Sequence, residues 1–192
     1  MAIDIQNLTF GYQTNKVFDN LNLSLPDNCL CIADNGAGKT TLLKIIAGIL
    51  PIESGTILVS KKADFTASLL LNSDFLFDEI SVQSHLKWLC DDQHQPWDSI
   101  HSIMEDFELE QWLSRFPGAL SQGERQWLSL AMILYQKTDI YLLDEPMTHL
   151  DSSHRQKLVE ILKKYLATRS FLIMSHPGTE SEFGDIMNVF KF

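Results

Sequence analysis

The stretch Ala33-Asp34-Asn35-Gly36-Ala37-Gly38-Lys39-Thr40-Thr41 constrains the fold more than any other part of the chain. It lies between an apolar, strand-like run, Cys29 to Ile32, and a helical one, Leu42 to Ala47. A loop of this kind turns several backbone N–H groups toward one anion, which requires a strand before it and a helix after it. Glycine permits the backbone angles and leaves room for the anion. The following helix adds its dipole and its unpaired N–H groups. Lys39 then reaches β- and γ-phosphates, and the Thr40 hydroxyl ligates Mg²⁺. The pattern is G-x-x-x-x-G-K-[ST] with one departure: Ala33 stands where the first glycine belongs. A methyl group is compatible with that position only if φ stays negative or the backbone shifts.

Around this loop, strand and helix patterns alternate. Ile3 to Phe10 alternates and reads as a strand, as does Val17 to Leu25. The helix after the loop is expected to stop at Gly48, with Pro51 beyond. Short strands are expected at Thr56 to Val59 and Ser68 to Leu71. From Val82 to Phe116 the pattern is helical, broken by Asp91 to Gln95 and Pro96. A helix begins at Ser121 and runs to Gln136. The run Ile140-Tyr141-Leu142-Leu143 reads as a strand buried on both faces. A helix from Ser153 to Ala167 and a strand from Phe171 to Met174 follow. This alternation predicts an α/β fold with a mostly parallel sheet.

A chain of 192 residues forms one domain, or one domain with a subdomain. Its net charge of −10 speaks against sequence-independent nucleic-acid binding, which needs Lys and Arg to neutralise phosphates. No uncharged apolar run of about 18 residues occurs, so no membrane span is expected. The N-terminus lacks a basic segment followed by an apolar one, and the expected location is cytoplasmic. Cys29, Cys31 and Cys90 give no disulfide framework. Cys29 and Cys31 share one side of a strand; burial is the expected role, with metal or redox chemistry as the alternative.

Two further clusters carry chemistry. Asp144-Glu145-Pro146 ends the apolar strand, where parallel sheets bind ligands. Asp144 is placed to hold Mg²⁺, and Glu145 to orient or deprotonate a water attacking a γ-phosphate. Leu120-Ser121-Gln122-Gly123-Glu124 opens a helix. Ser121 and Glu124 fit a capping box, which accounts for the pair without any function. A serine-capped, glycine-bearing helix start also suits an anion. Both readings stand at this level.

In this order the motifs resemble those of the nucleotide-binding subunit of an ATP-binding cassette (ABC) transporter, along essentially the whole chain. Gly36 to Thr41 resembles the Walker A loop, and Leu120 to Glu124 the signature usually written LSGGQ. Leu142 to Pro146 resembles Walker B with its catalytic glutamate. Leu150-Asp151 resembles the D-loop, Ser175-His176 the switch histidine, and Tyr12 the aromatic residue that stacks on adenine. Each of the last three has a plain alternative: a helix cap for Asp151, a solvated loop residue for His176, a turn aromatic for Tyr12.

The resemblance implies one ABC ATPase domain over residues 1–192. It implies a P-loop NTPase core with a mostly parallel sheet, an N-terminal antiparallel β portion and a helical subdomain inserted at about 80–125. It implies ATP and Mg²⁺ as ligands. ATP would be bound by Tyr12, Asn35, Gly36, Ala37, Gly38, Lys39, Thr40 and Thr41. Lys39, Asn72, Glu145 and His176 would be catalytic, and Thr40, Asp144 and Asn72 would serve the metal. Ser121, Gln122, Gly123 and Glu124 would cover the ATP of a second, head-to-tail subunit, with a homodimer expected and Asp151 in the D-loop. A single copy of each motif is consistent with a site that two chains complete.

The helical insertion and the segment Asn72 to Phe77 would engage a separate transmembrane permease, keeping the chain peripheral on the inner face of the cell membrane. Besides Ala33, three positions depart from the family: Asn72 replaces a glutamine and is one methylene shorter, and Trp127 and Met132 stand where arginine is common. The compact form is similar to exporter cassettes, and Ser81 to Leu89 resembles the haem-exporter subunit of cytochrome c maturation, with drug, peptide or lipid export equally open. The rival reading is a degenerate cassette that binds nucleotide as a regulatory module and hydrolyses little. Translation-factor and DNA-repair cassettes carry a second cassette or a long coiled coil and do not fit, and a nucleotide kinase would need no signature.

Overall fold

Alternating side chains build the first sheet. β1 (Ile3–Tyr12) buries Ile3, Ile5, Leu8 and Phe10. The step from Ile5 to Leu8 breaks the period of two at Asn7, whose φ of 51° accompanies a register shift. β1 pairs antiparallel with β2 (Asn15–Leu25) and β4 (Ser54–Val59), in the order β2-β1-β4. The computed structural model describes residues 3–13, 15–71, 75–183 and 186–191.

The second sheet contains β3 (Cys29–Ile32), β5 (Ala67–Leu70), β6 (Ile140–Asp144), β7 (Phe171–Ser175) and β8 (Asn188–Lys191), in the order β5-β6-β7-β3-β8. The pairs β6–β7, β7–β3 and β3–β8 are parallel. All residues of β3 and β7 are buried, which explains their unbroken apolar runs. Parallel pairing requires crossovers. α1 (Lys39–Ile46) leaves β3, and α5 (Ser152–Leu166) lies between β6 and β7 in the chain. The carboxyl ends of β3, β6 and β7 therefore deliver the loop at Ala33, the pair Asp144-Glu145 and the pair Ser175-His176 to one edge of the sheet.

The chain divides into two compact units. The first comprises Met1–Leu69, Thr138–Glu145 and Lys163–Phe192. Its core gathers Ile5, Phe18, Leu42, Ile46, Leu142 and Met174, among others. Cys29 and Cys31 belong to this core, and burial pushes their thiols up to about 12 and about 11. They stay protonated near neutral pH, which fits the packing role.

The second unit comprises Leu70–Lys137 and Pro146–Leu162. It holds α2 (Val82–Asp92), α3 (His101–Asp106) and α4 (Gln122–Tyr135), with 3₁₀ turns at Trp97–Ile100, Leu109–Trp112 and Pro117–Ala119. Ser81 caps α2 by accepting from the Ser84 N–H. Pro96 breaks the helical pattern as expected, immediately before the first 3₁₀ turn. Trp127 does not stand in for a surface arginine. It is 1% exposed, its indole N–H donates to the Phe107 carbonyl at 2.9 Å, and its ring lies 4.9 Å from that of His154. Two elements go beyond the sequence expectation, α6 (Glu180–Phe183) and β8. β8 is mostly exposed and has no apolar run to betray it.

Candidate functional site: a phosphate loop and a capped helix start

The first unit carries the loop. Ala33 continues from β3, donating its N–H to the Ser175 carbonyl at 3.1 Å. Its φ is not positive, so the methyl group meets no backbone conflict. The loop's left-handed turns fall on Gly36 and Gly38, with φ of 84° and 91°. A Cβ on Gly38 would also come within 2.9 Å of the Phe18 ring, so this glycine answers both to backbone angle and to packing. No side chain among the described residues caps α1 at Gly38. A cavity of about 330 Å³ opens here, lined by Val17, Asn35, Gly36, Gly38, Lys39, Thr40, Thr41 and Glu145. Ala37 neighbours it in the loop, its N–H donating to the Asp34 carbonyl at 3.3 Å.

Lys39 and Glu145 meet at this cavity, and His176 stands beside Glu145. Lys39 is 7% exposed; its ammonium donates to the Ala33 carbonyl at 2.8 Å and pairs with Glu145 Oε1 at 3.2 Å. The other Glu145 oxygen lies 3.6 Å from His176 Nδ1. Glu145 adopts a φ of 47°, unusual for a side-chain-bearing residue, and its N–H donates to the Met174 carbonyl at 2.8 Å. That bond ties the turn beyond β6 to β7.

Thr40 and Asp144 meet beside this group. The Thr40 hydroxyl donates to Asp144 Oδ2. Asp144 Oδ1 is buried and has no hydrogen-bond partner among the described residues. Burial raises the Asp144 carboxyl above the usual carboxylate range, against the lowering effect of the Thr40 hydrogen bond. An orphaned carboxylate oxygen beside a hydroxyl fits a divalent cation whose other ligands come from phosphate and water. Among the described residues no group of three or more His, Cys, Asp or Glu is arranged to hold a metal by itself. Tyr12 is 47% exposed, and its hydroxyl lies 3.5 Å from that of Thr41. Its ring is available for stacking beside the loop. Asn72 lies outside the described residues.

The second unit carries the capped helix start. Ser121 Oγ accepts from the Glu124 N–H at 3.2 Å, and Glu124 Oε2 accepts from the Ser121 N–H at 2.7 Å. The capping box is therefore complete, with Gln122 and Gly123 between its partners. A Cβ on Gly123 would come within 2.6 Å of the His149 carbonyl oxygen, so only glycine fits. Asp151 caps the start of α5. Its carboxylate accepts from the Ser153 hydroxyl at 2.7 Å and the His154 N–H at 2.9 Å, and these bonds hold it well below the usual carboxylate range.

The structure thus brings together Lys39, Thr40, Thr41, Asp144, Glu145, His176 and Tyr12 in the first unit, and Ser121 to Glu124 in the second. Sequence reasoning missed Val17, which lines the cavity, and Arg115, which pairs with Glu124 at 2.9 Å. Neither carries a motif; the tight space at Gly38 and the carboxylate at position 124 are the nearest signals.

Fold and loop define a P-loop nucleotide-binding protein of the α/β class. The sequence profile of the ABC transporter family matches residues 18–148. The chain is 30% identical to the thiamine import ATP-binding protein ThiQ of Histophilus somni, over 91% of this chain and 87% of that one. It belongs to the ABC transporter family and carries that family's ATPase domain. It is also 28% identical to the sn-glycerol-3-phosphate import ATP-binding protein UgpC of Bartonella quintana, over 93% of this chain but only 56% of that one. The chain therefore spans little more than half the length of that relative. A solved structure described as the ATP-binding subunit of an ABC transporter superposes with a TM-score of 0.82 at 21% identity, covering 95% of this chain and 83% of the other. No helix among the described residues is long and apolar enough to cross a membrane.

Proposed function

We propose that this chain binds and hydrolyses ATP to drive a transporter, as one of two cassettes that close on nucleotide. The observation that carries the reading is the chain of contacts from Lys39 through Glu145 to His176 above an uncapped, glycine-rich helix start. In the structure the lysine is held by a carbonyl and a carboxylate. Phosphate oxygens compete for the same ammonium, which releases Glu145 to take a proton from water. The loop amides and Lys39 stabilise charge on the transferring phosphoryl group, and positioning supplies most of the catalysis. His176 faces the same carboxylate and would report the γ-phosphate. Thr40 and Asp144 would hold Mg²⁺, which neutralises phosphate charge when bound, with Asn72 as a further expected contact.

Signature residues Ser121 to Glu124 would cover the nucleotide of a second copy of the chain. We read residues 1–192 as one cassette domain with a helical insertion. Phe77 and Trp88, 58% and 56% exposed in the second unit, support docking of a separate membrane permease there and hence a peripheral location. The direction proposed is export; ThiQ and UgpC are named for import, so vesicle transport assays should score both directions. The negative φ of Ala33 removes one of the two reasons for reading the chain as a degenerate regulatory cassette.

The decisive experiment is Glu145→Gln. ATP binding by titration should persist, while steady-state hydrolysis falls at least about a hundredfold, the scale of general-base loss. Undiminished hydrolysis would refute the role of Glu145.

A further inference from the structure

The fifth signature residue here is an acid, Glu124, at a helix start proposed to face a triphosphate. A bare carboxylate there would repel the ligand, because like charges brought together at an interface oppose association. In the structure that carboxylate is fully engaged. Oε2 takes the Ser121 N–H at 2.7 Å, and Oε1 takes the Arg115 guanidinium at 2.9 Å. Arg115 is itself fixed, since a second guanidinium nitrogen donates to the Ala119 carbonyl at 2.6 Å, one residue before Leu120 opens the motif. Its own backbone N–H donates to the Trp112 carbonyl at 2.8 Å, and its carbonyl accepts from the Val82 N–H at 2.9 Å. The arginine thus comes from ordered backbone and grips both the turn and the acid of the signature. Arginine suits this role because its planar fork serves a carboxylate and a carbonyl at once.

We infer that Arg115 is a positioning residue for nucleotide-driven pairing of two chains: it neutralises Glu124 and fixes the turn before Ser121, so that an acidic signature accepts a partner's triphosphate. This rests on the two-chain reading proposed above. Arg115 does not line the phosphate-loop cavity, so its effect falls on association and spares the first capture of ATP.

The test uses the full chain carrying Glu145→Gln, in which slow hydrolysis holds ATP in place, and measures Mg-ATP-dependent association by sedimentation. Adding Arg115→Gln should weaken association about tenfold or more, equivalent to about 1.4 kcal/mol. Arg115→Lys should retain most of it. Combining Arg115→Gln with Glu124→Gln should recover most of what Arg115→Gln alone loses, because the unneutralised charge is then gone. Binding of a fluorescent ATP analogue to the dilute chain should be the same with and without Arg115→Gln. Rescue by Glu124→Gln is a result that a merely structural arginine would not give, and it also guards against a misfolded single variant. Equal loss with and without Glu124→Gln, or no loss at all, overturns the inference while leaving the two-chain reading intact. A parent that fails to associate with Mg-ATP overturns both.

Discussion

Among the described residues, two glycine-bearing helix starts are proposed to face phosphate, and they are built in opposite ways. At α1 the helix opens on Gly38 in a left-handed turn with no side-chain cap, and the first helical residue is a buried lysine. At α4 the helix opens on Ser121, and its own glutamate closes a complete capping box. The first start leaves amides and a cation for a ligand. The second has spent two donors on itself and neutralises the resulting acid with Arg115. One helix start is therefore suited to capturing an anion unaided, and the other to completing a site that is already charged and crowded.

The sharpest way to break this comparison is Lys39→Met. If α1 is the capturing end, ATP affinity of the single chain should fall about a hundredfold, the scale of one or two charge-assisted hydrogen bonds. Retained affinity in a calorimetric titration would show that the loop amides suffice and that the ion pair with Glu145 is only structural. A smaller effect is expected at α4. Gly123→Ala forces a methyl group against the His149 carbonyl oxygen, 2.6 Å away with no flexible side chain to yield. Overpacking of this kind costs about 1–3 kcal/mol. Thermal unfolding should show it even without nucleotide, whereas an unshifted midpoint would mean that the segment at His149 moves at no cost.

Asp144 sharpens the comparison from the side of charge. Its carboxyl is raised by burial, so folding favours the protonated form. A group with a raised folded pKa contributes stability below its unfolded pKa and loses it as pH rises through the folded value. Above that raised value the ionised Asp144 is therefore a burden on the nucleotide-free fold. Asp144→Asn should raise the nucleotide-free unfolding midpoint by about 2–4 °C while weakening the magnesium dependence of ATP binding. The gain should shrink as pH falls toward the carboxylate range. Glu124 behaves in the opposite sense: the Ser121 N–H, together with Arg115, lowers its carboxyl, so its contribution is present above the unfolded pKa and lost as pH falls through the lowered one. A pH series on the parent and on Asp144→Asn separates the two ends. A destabilised Asp144→Asn chain would reverse the sign argued here.

What was legible in the sequence follows the same division. The loop could be read because each backbone demand falls on a particular residue type: glycine at the left-handed positions, lysine and threonine at the anion. The capping box could be read because its partners lie three residues apart. Arg115 could not, because its meeting with Glu124 depends on the 3₁₀ turn at Pro117–Ala119, which no periodicity announces. Strand β8 was missed because most of its residues are exposed. Trp127 stands where the resemblance expects arginine, and only packing against Phe107 and His154 reveals it as core.

Ala33 gives the smallest predicted effect and tests how strictly the motif's first glycine is required. The pattern asks for glycine, yet the residue's φ is not positive, its side chain is 3% exposed, and its N–H and carbonyl are engaged by Ser175 and Lys39. The loop therefore uses Ala33 through its backbone. A glycine there would supply the same two groups and would add freedom to the unfolded chain. Ala33→Gly should leave ATP affinity unchanged and lower stability by about 0.4–1 kcal/mol. A tighter titration curve for the variant would mean that the methyl group strains the loop after all, and the left-handed turns at Gly36 and Gly38 would then not be sufficient to shape it.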